Sequence, residues 1–191
     1  MKSFIDLIIV LVLGLGLGGA LSWATIRTDQ GIGAAKVGQW TTWPSSGRPD
    51  SDPYTKARVA AGGVIPLVSA EGLAFVFRED GACRKLRPQC SYQLAGKTPP
   101  ARLWTLTYQR LDDQAAEAVA TKASVLTSAQ VIRDGEGAID VTIGPNLSSG
   151  DWLRTSGAGF FIILMRFYDT PLTGTGALDG SDIPSLNRVA C

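Results

Sequence analysis

The sequence predicts a mainly β protein: a jelly-roll-like antiparallel β-sandwich with one short N-terminal helix, preceded by a single transmembrane helix. Three observations predict this fold. Residues 4–26 are almost wholly apolar, residues 52–63 carry the start and stop signals of a short helix, and the rest of the chain alternates short β-branched and aromatic runs with turn residues. We therefore divide the 191 residues into a transmembrane signal anchor (1–27), a linker and entry segment (28–50) and a β-sandwich domain (51–191).

The apolar segment carries no formal charge from Leu7 to Trp23, and a helix of that length measures about 26 Å, close to the hydrocarbon thickness of a bilayer. A cleavable signal peptide is the alternative. The long apolar core and the poor cleavage site at Ser22-Trp23-Ala24 favour an uncleaved anchor that contacts the lipid bilayer through residues 4–26. We expect a single-pass protein of the bacterial inner membrane, with its soluble domain in the periplasm.

The glycines of this segment fit two motifs. Gly14, Gly16 and Gly19 form G-x-G-x-x-G, the pattern of a dinucleotide-binding loop, but that loop needs a strand before it, and only three residues precede the apolar segment at Phe4. We therefore expect no cofactor. Gly14 and Gly18 form G-x-x-x-G, which indicates either a homodimer through this face or the general frequency of glycine in membrane helices.

The soluble part begins with a short helix and continues in strands. Asp52 is a good N-cap, Pro53 fits the first helical position, and Gly62 or Gly63 ends the helix. Trp40 and Trp43, in the segment before the helix, are expected to pack onto the domain. The pattern predicts strands at 73–79, 90–96, 102–109, 129–133, 138–144 and 159–169.

Two of these strands have distinctive patterns. Residues 102–109 alternate, with Trp104, Leu106 and Tyr108 on one face, as in a half-buried strand. Residues 160–165 are continuously apolar, which is typical of a central strand buried on both faces. Residues 112–123 fit either a helix or a long loop.

The three cysteines, Cys83, Cys90 and Cys191, all follow the predicted anchor, and a periplasmic location permits disulfides. Cys191 is the last residue, where a bridge would hold an otherwise fraying terminus. We predict one structural disulfide that joins Cys191 to Cys83 or Cys90. Three dispersed thiols in a chain without histidine predict no metal site.

Three segments resemble a bacterial family, domain of unknown function 1214. They are "DPYTKARVAAGGVIPL" (52–67), "PPARLWTLTYQ" (99–109) and "GDWLRTSGAGFFIILMRFYDTP" (150–171), and the resemblance runs from about Trp40 to Cys191. Arg154 departs from the family pattern, which has proline after Trp-Leu. The resemblance implies a jelly-roll-like sandwich and no established reaction.

Composition excludes some functions. Without Lys2, Arg27 and Asp6 of the apolar segment, the chain holds 16 basic and 16 acidic residues, so we expect no nucleic-acid partner. The lack of histidine removes the commonest general base and the Ser-His-Asp triad. The carboxylates show no spacing that would force them into an acid/base pair, so we name no catalytic residue. These carboxylates are Asp50, Asp52, Glu71, Asp80, Asp112, Asp113, Asp134, Glu136 and Asp151.

Aromatic and arginine side chains are the candidate ligand-binding residues. They are Tyr54, Arg58, Trp104, Tyr108, Trp152 and Arg166. The alternative for the aromatics is core or rim packing. Arg166 interrupts an apolar strand, where an arginine needs a ligand or a carboxylate such as Asp52 or Asp169.

These observations favour a non-enzymatic binding or assembly module of the cell envelope, with an envelope protein or a glycan as partner. The alternative is a carboxylate-dependent enzyme that modifies or hydrolyses carbohydrate.

Overall fold

The computed structural model describes residues 2–27, 32–62, 66–110, 125–173 and 183–191. The stretch 112–123 lies outside these ranges. The described elements are two helices, ten strands and a 3₁₀ turn at Pro171–Thr173. In chain order, the helices and strands are α1 (Lys2–Arg27), β1 (Ala35–Val37), β2 (Trp40–Thr42), α2 (Pro53–Gly62), β3 (Gly72–Phe77), β4 (Ser91–Lys97), β5 (Leu103–Arg110), β6 (Val125–Thr127), β7 (Ala138–Gly144), β8 (Asp151–Arg154), β9 (Phe161–Tyr168) and β10 (Ser185–Ala190).

The strands form two sheets. One has six antiparallel strands in the order β1-β2-β3-β9-β5-β6, and the other has four in the order β10-β4-β7-β8. The pair β7–β8 is parallel, so the prediction of an antiparallel architecture holds for the six-stranded sheet and not for the whole fold. The mainly β fold is confirmed.

The sheets share one core, and β9 lies at its centre. Phe161, Ile163, Met165 and Phe167 point inward and join the buried residues of the four-stranded sheet, among them Tyr92. The predicted central strand is therefore confirmed, because residues 161–165 are buried on both faces of the sheet. Its partner β5 alternates as predicted, with Trp104 and Leu106 buried in the same core.

Helix α2 begins and ends as the sequence predicts. The Asp52 carboxylate accepts hydrogen bonds from the backbone N–H of Thr55 (2.9 Å) and from its hydroxyl (2.6 Å). These bonds hold the pKa of Asp52 below its usual range. The carboxylate thus satisfies a backbone donor at the start of the helix, as an N-cap does.

The predicted strand at 129–133 is wrong. The chain turns there instead: the N–H groups of Gln130 and Val131 both donate to the carbonyl of Thr127. The side-chain oxygen of Gln130 accepts bonds from the N–H and hydroxyl of Thr127, which fixes the turn. Only Arg133 regains a strand-like bridge, to Ile139.

The segment predicted as a linker contributes β1 and β2 to the edge of the six-stranded sheet. Trp40 is buried, and its indole N–H donates to the carbonyl of Pro184 (2.7 Å). Trp43 packs against Val76, Ile162 and Leu164 on the opposite face of the sheet. Both tryptophans therefore pack onto the domain, as expected.

The C-terminal strand β10 is fixed to the domain at two places. Cys90 and Cys191 form a disulfide, one of the two pairings that the sequence left open, and Cys83 is free and exposed. Arg188 lies 2.9 Å from the buried carboxylate of Asp80, measured from Nε to Oδ2. The terminus is thus held by a covalent and an ionic contact.

Within the described ranges, one helix is long and apolar enough to cross a membrane, at Ser3–Ile26. Its apolar side chains lie outside the core and are exposed. The helix contacts α2, and its half-buried residues, Ser22, Thr25 and Ile26, lie near its C-terminal end. Helix α2 therefore lies beside the end of the apolar segment.

Candidate functional site

The six-stranded sheet has an outer face, opposite the core, where the indole nitrogen of Trp43 lies buried without a hydrogen-bond partner among the described residues. Because side chains alternate along β9, Ile162, Leu164 and Arg166 point to this face. Ala74 and Val76 of the neighbouring strand β3 share it. We use the name outer-face site for Trp43, Arg58 and Arg166.

Arg58 and Trp43 form the first part of the outer-face site. Arg58 lies on α2, and its guanidinium carbon stands 5.2 Å from the centre of the Trp43 ring. The three guanidinium nitrogens and the indole nitrogen of Trp43 are buried, and among the described residues none of them has a hydrogen-bond partner. Burying a charged donor without a partner is unfavourable, so a further hydrogen-bond acceptor beside this pair would be stabilising.

Arg166 forms the second part. It is half-buried in β9, beside Ala74 of β3 and Thr105 of β5. Its hydrogen bond to the hydroxyl oxygen of Thr107 is long, 3.5 Å from Nη1. Burial lowers the pKa of Arg166, and the nearby Tyr168 partly offsets this effect. The guanidinium remains charged at neutral pH.

The outer-face site has a net positive charge. Among the described residues, no carboxylate lies within ion-pair distance of Arg58 or Arg166, so neither Asp52 nor Asp169 pairs with Arg166. The charges lie beside a cluster of buried apolar side chains, Val76, Ile162 and Leu164. This arrangement can bind an anionic group.

The structure distributes the other predicted ligand-binding residues over the molecule. Trp104 is buried in the core, and Tyr108 packs against the same core while its hydroxyl donates to the carbonyl of Ser156 (2.5 Å). Trp152 lies in the other sheet, where its indole N–H donates to the carbonyl of Gly144 (3.1 Å). Tyr54 is half-buried on α2. The six residues therefore do not form one platform.

Sequence reasoning missed Trp43 as a site residue. It predicted packing for this side chain, which is correct, but not an unpartnered indole nitrogen beside a cation. The available signal was a tryptophan in a Gly/Ser/Pro-rich segment directly ahead of the helix that carries Arg58.

Three carboxylates line a shallow cavity of about 340 Å³ beside β7 and β8. Because they lie together, this cavity is the best candidate in the described part of the chain for a catalytic acid/base pair. Each already accepts hydrogen bonds from its surroundings. Asp134 Oδ1 accepts from the N–H of Glu136 and Ala138, Asp151 accepts from the N–H of Ile132, and Asp140 accepts from the Gln93 amide. These bonds fix loops and a cross-strand pair rather than present a free carboxylate.

Two further predicted features lie away from the outer-face site. A Cβ atom built at Gly14 or Gly18 would meet no atom within 4 Å, so this face of α1 is open. In the described part of the chain, no cluster of three or more His, Cys, Asp or Glu side chains could hold a metal ion.

Comparisons with known proteins identify a family and two similar structures. The model of a family described as protein of unknown function (DUF1214) matches residues 71–172. The crystal structure of the VPA0106 protein from Vibrio parahaemolyticus is similar over 73% of this chain and 36% of its own, with 18% identity and a TM-score of 0.56. A putative uncharacterized protein from Burkholderia cenocepacia is similar over 74% of this chain and 45% of its own, with 15% identity and a TM-score of 0.40. This chain therefore spans less than half the length of each structure. No curated protein matches it.

Proposed function

Because this chain belongs to the DUF1214 family, whose function is unknown, its role must be argued from its own surface, and we propose that it is a membrane-anchored binding module. In this proposal, residues 1–27 anchor the chain in the bacterial inner membrane, and a jelly-roll-like sandwich from residue 51 onward lies in the periplasm. Residues 28–50 join the two. The domain binds an anionic partner and catalyses no reaction.

The observation that carries the proposal is the unpartnered, buried guanidinium group of Arg58 beside the unpartnered indole nitrogen of Trp43. An anion at this position would satisfy several donors at once, and hydrogen bonds to charged groups are the stronger ones in proteins. Arg166 supplies a second positive charge on the same face of the sheet.

Other features support the location and the non-catalytic role. The apolar helix at Ser3–Ile26 suits an anchor, and a disulfide suits an oxidising compartment. The chain lacks histidine, and the carboxylates that line the cavity at β7 and β8 already hold loops in place.

Thermal unfolding of the full chain in detergent tests the proposal. The probes are polyglutamate (an acidic peptide), polygalacturonate (an acidic glycan), short-chain phosphatidylglycerol (an anionic lipid) and neutral dextran. We expect at least one anionic probe to raise Tm by roughly 3 to 6 °C at a concentration about ten times its Kd. Dextran should have no effect.

Two variants identify the site. Arg58→Gln and Arg166→Gln should each reduce the shift in Tm, because each removes a charge that faces the ligand. Arg48→Gln is the control, since Arg48 is exposed and already pairs with Asp50. The proposal is wrong if no anionic probe stabilises the protein, or if the shift is the same in all three variants.

A further inference from the structure

The position of the outer-face site indicates which anion it binds. We propose that Arg58 and Trp43 bind the phosphate of an anionic phospholipid from the membrane in which α1 is anchored. This inference rests on the proposed function, because it takes α1 as the membrane anchor. It adds the chemical class of the ligand and the place from which the ligand comes.

Arg58 lies near the C-terminal end of α1. Helix α2, which carries Arg58, contacts α1, and the half-buried residues of α1 are Ser22, Thr25 and Ile26, at the end where the apolar segment stops. If α1 spans the bilayer, its end lies at the level of the lipid headgroups, and so does the helix packed against it. The site is then within reach of headgroup phosphates.

The donors of Arg58 and Trp43 suit a phosphate group. A phosphodiester offers several acceptor oxygens to the three free nitrogens of Arg58, and an arginine fork matches this geometry. The indole N–H of Trp43 adds a donor beside the cation. The neighbouring Val76, Ile162 and Leu164 are buried, so the acyl chains of the lipid lie in the membrane around α1 rather than on the sheet.

The two cations of α2 differ in their surroundings. Helix α2 runs "PYTKARVAAG" and holds two cations and no acidic residue. Successive residues are about 100° apart on a helix, so Lys56 and Arg58 point in nearly opposite directions. Lys56 is exposed and donates to the carbonyl of Pro49 (2.8 Å). The guanidinium group of Arg58, in contrast, has no hydrogen-bond partner among the described residues. Specific binding should therefore depend on Arg58 and not on Lys56.

Native mass spectrometry of the full chain in non-ionic detergent tests the inference. The probes are dihexanoyl phosphatidylglycerol, dihexanoyl phosphatidylcholine and inorganic phosphate. We expect phosphatidylglycerol to bind about tenfold more tightly than phosphatidylcholine, whose choline cation neutralises its phosphate. Inorganic phosphate at the same concentration should not displace it, because phosphate lacks the acyl chains that hold the lipid in the detergent around α1.

The variants separate a built site from a general surface charge. Arg58→Gln should weaken phosphatidylglycerol binding about tenfold or more, while Trp43→Phe, which loses the N–H alone, should weaken it less. Lys56→Gln, the matched control on the same helix, should bind as the unmodified chain does. If Arg58→Gln does not fold, Arg58→Lys keeps the charge without the planar fork and should also bind more weakly.

Three results would overturn the inference: equal weakening by Lys56→Gln and Arg58→Gln, equal affinity for the two lipids, or displacement by inorganic phosphate. Binding of polygalacturonate or polyglutamate that depends on Arg58, without Arg58-dependent lipid binding, would reject the lipid and leave the proposed function standing. If no anionic probe depends on Arg58, both proposals fail.

Discussion

Asp80 is the buried carboxylate of this domain whose contacts are most completely defined. Its oxygens accept hydrogen bonds from the backbone N–H groups of Ala82 and Arg84 and from the Arg84 side chain, and Oδ2 forms an ion pair with Nε of Arg188 at 2.9 Å. Burial alone would raise the pKa of Asp80, but these hydrogen bonds and the charge of Arg188 outweigh it and hold the pKa below its usual range. The ionised carboxylate therefore stabilises the folded state.

We expect Asp80→Asn to lower the free energy of unfolding at pH 7 by about 2 kcal/mol or more, because it leaves Arg188 without its charge partner. The folded-state pKa is depressed, so this stabilisation is present above the unfolded pKa of about 4 and is lost as the pH falls through the folded value. Urea unfolding from pH 7 down to pH 3 should show the two proteins converging in acid.

The control is Asp140→Asn, since Asp140 is exposed and, among the described residues, accepts hydrogen bonds only from the Gln93 amide. Its effect should stay within about 0.5 kcal/mol. A difference between Asp80→Asn and the unmodified chain that grows in acid would contradict the account of Asp80.

At the same scale, the sequence predicts single residues well when their partners are close in the chain. Asp52 is identified as an N-cap because its partner Thr55 is three residues away. The ion pair of Asp80 is not predicted, because its partner Arg188 is far along the chain. Similarly, Arg166 stands out as an arginine in an apolar strand, but its place beside Ala74 follows only from the register of β3 and β9, and the contact of Arg58 with Trp43 follows only from the fold.

Among the elements, β3 and β9 form the centre of the six-stranded sheet, and Gly72 permits their close approach. A Cβ atom at Gly72 would lie 1.9 Å from the carbonyl oxygen of Phe167, a backbone atom that no side-chain rotation can move. We expect Gly72→Ala to destabilise the protein by about 3 kcal/mol or more, measured by urea unfolding, since relief requires the strands to separate.

Gly135→Ala is the matched control, because a Cβ atom there meets nothing within 4 Å. It should unfold at nearly the same urea concentration as the unmodified chain. If Gly72→Ala is equally stable, the packing of β3 on β9 is not as described.

How well an element is predicted depends on its length and pattern. Strands β5, β7 and β9 hold seven or eight residues with clear alternation or continuous apolarity, and the sequence predicts all three. Strands β1, β2 and β6 hold three residues each, too few for a period to show. They form because longer neighbours offer them a sheet edge, which is a tertiary effect that no local pattern records.

On the scale of the whole molecule, the structure joins a long apolar helix to a disulfide-bonded, two-sheet domain. The sequence predicts both parts, because an uncharged apolar run and β-type runs are strong local signals. It does not predict the contact between α1 and α2, which places Arg58 beside the end of the helix. The proposals depend on that contact and on the side of the membrane where the domain lies.

Labelling of Cys83 tests this arrangement most directly, because Cys83 is a free, exposed thiol and the other two cysteines form a disulfide. A membrane-impermeant maleimide is added to cells whose outer membrane is permeabilised and whose inner membrane is intact, and Cys83→Ser is the control. The account predicts labelling of Cys83 in these cells, with Cys90 and Cys191 labelled only after reduction and unfolding. Labelling of Cys83 only after lysis of the inner membrane, or labelling of all three cysteines without reduction, would contradict it.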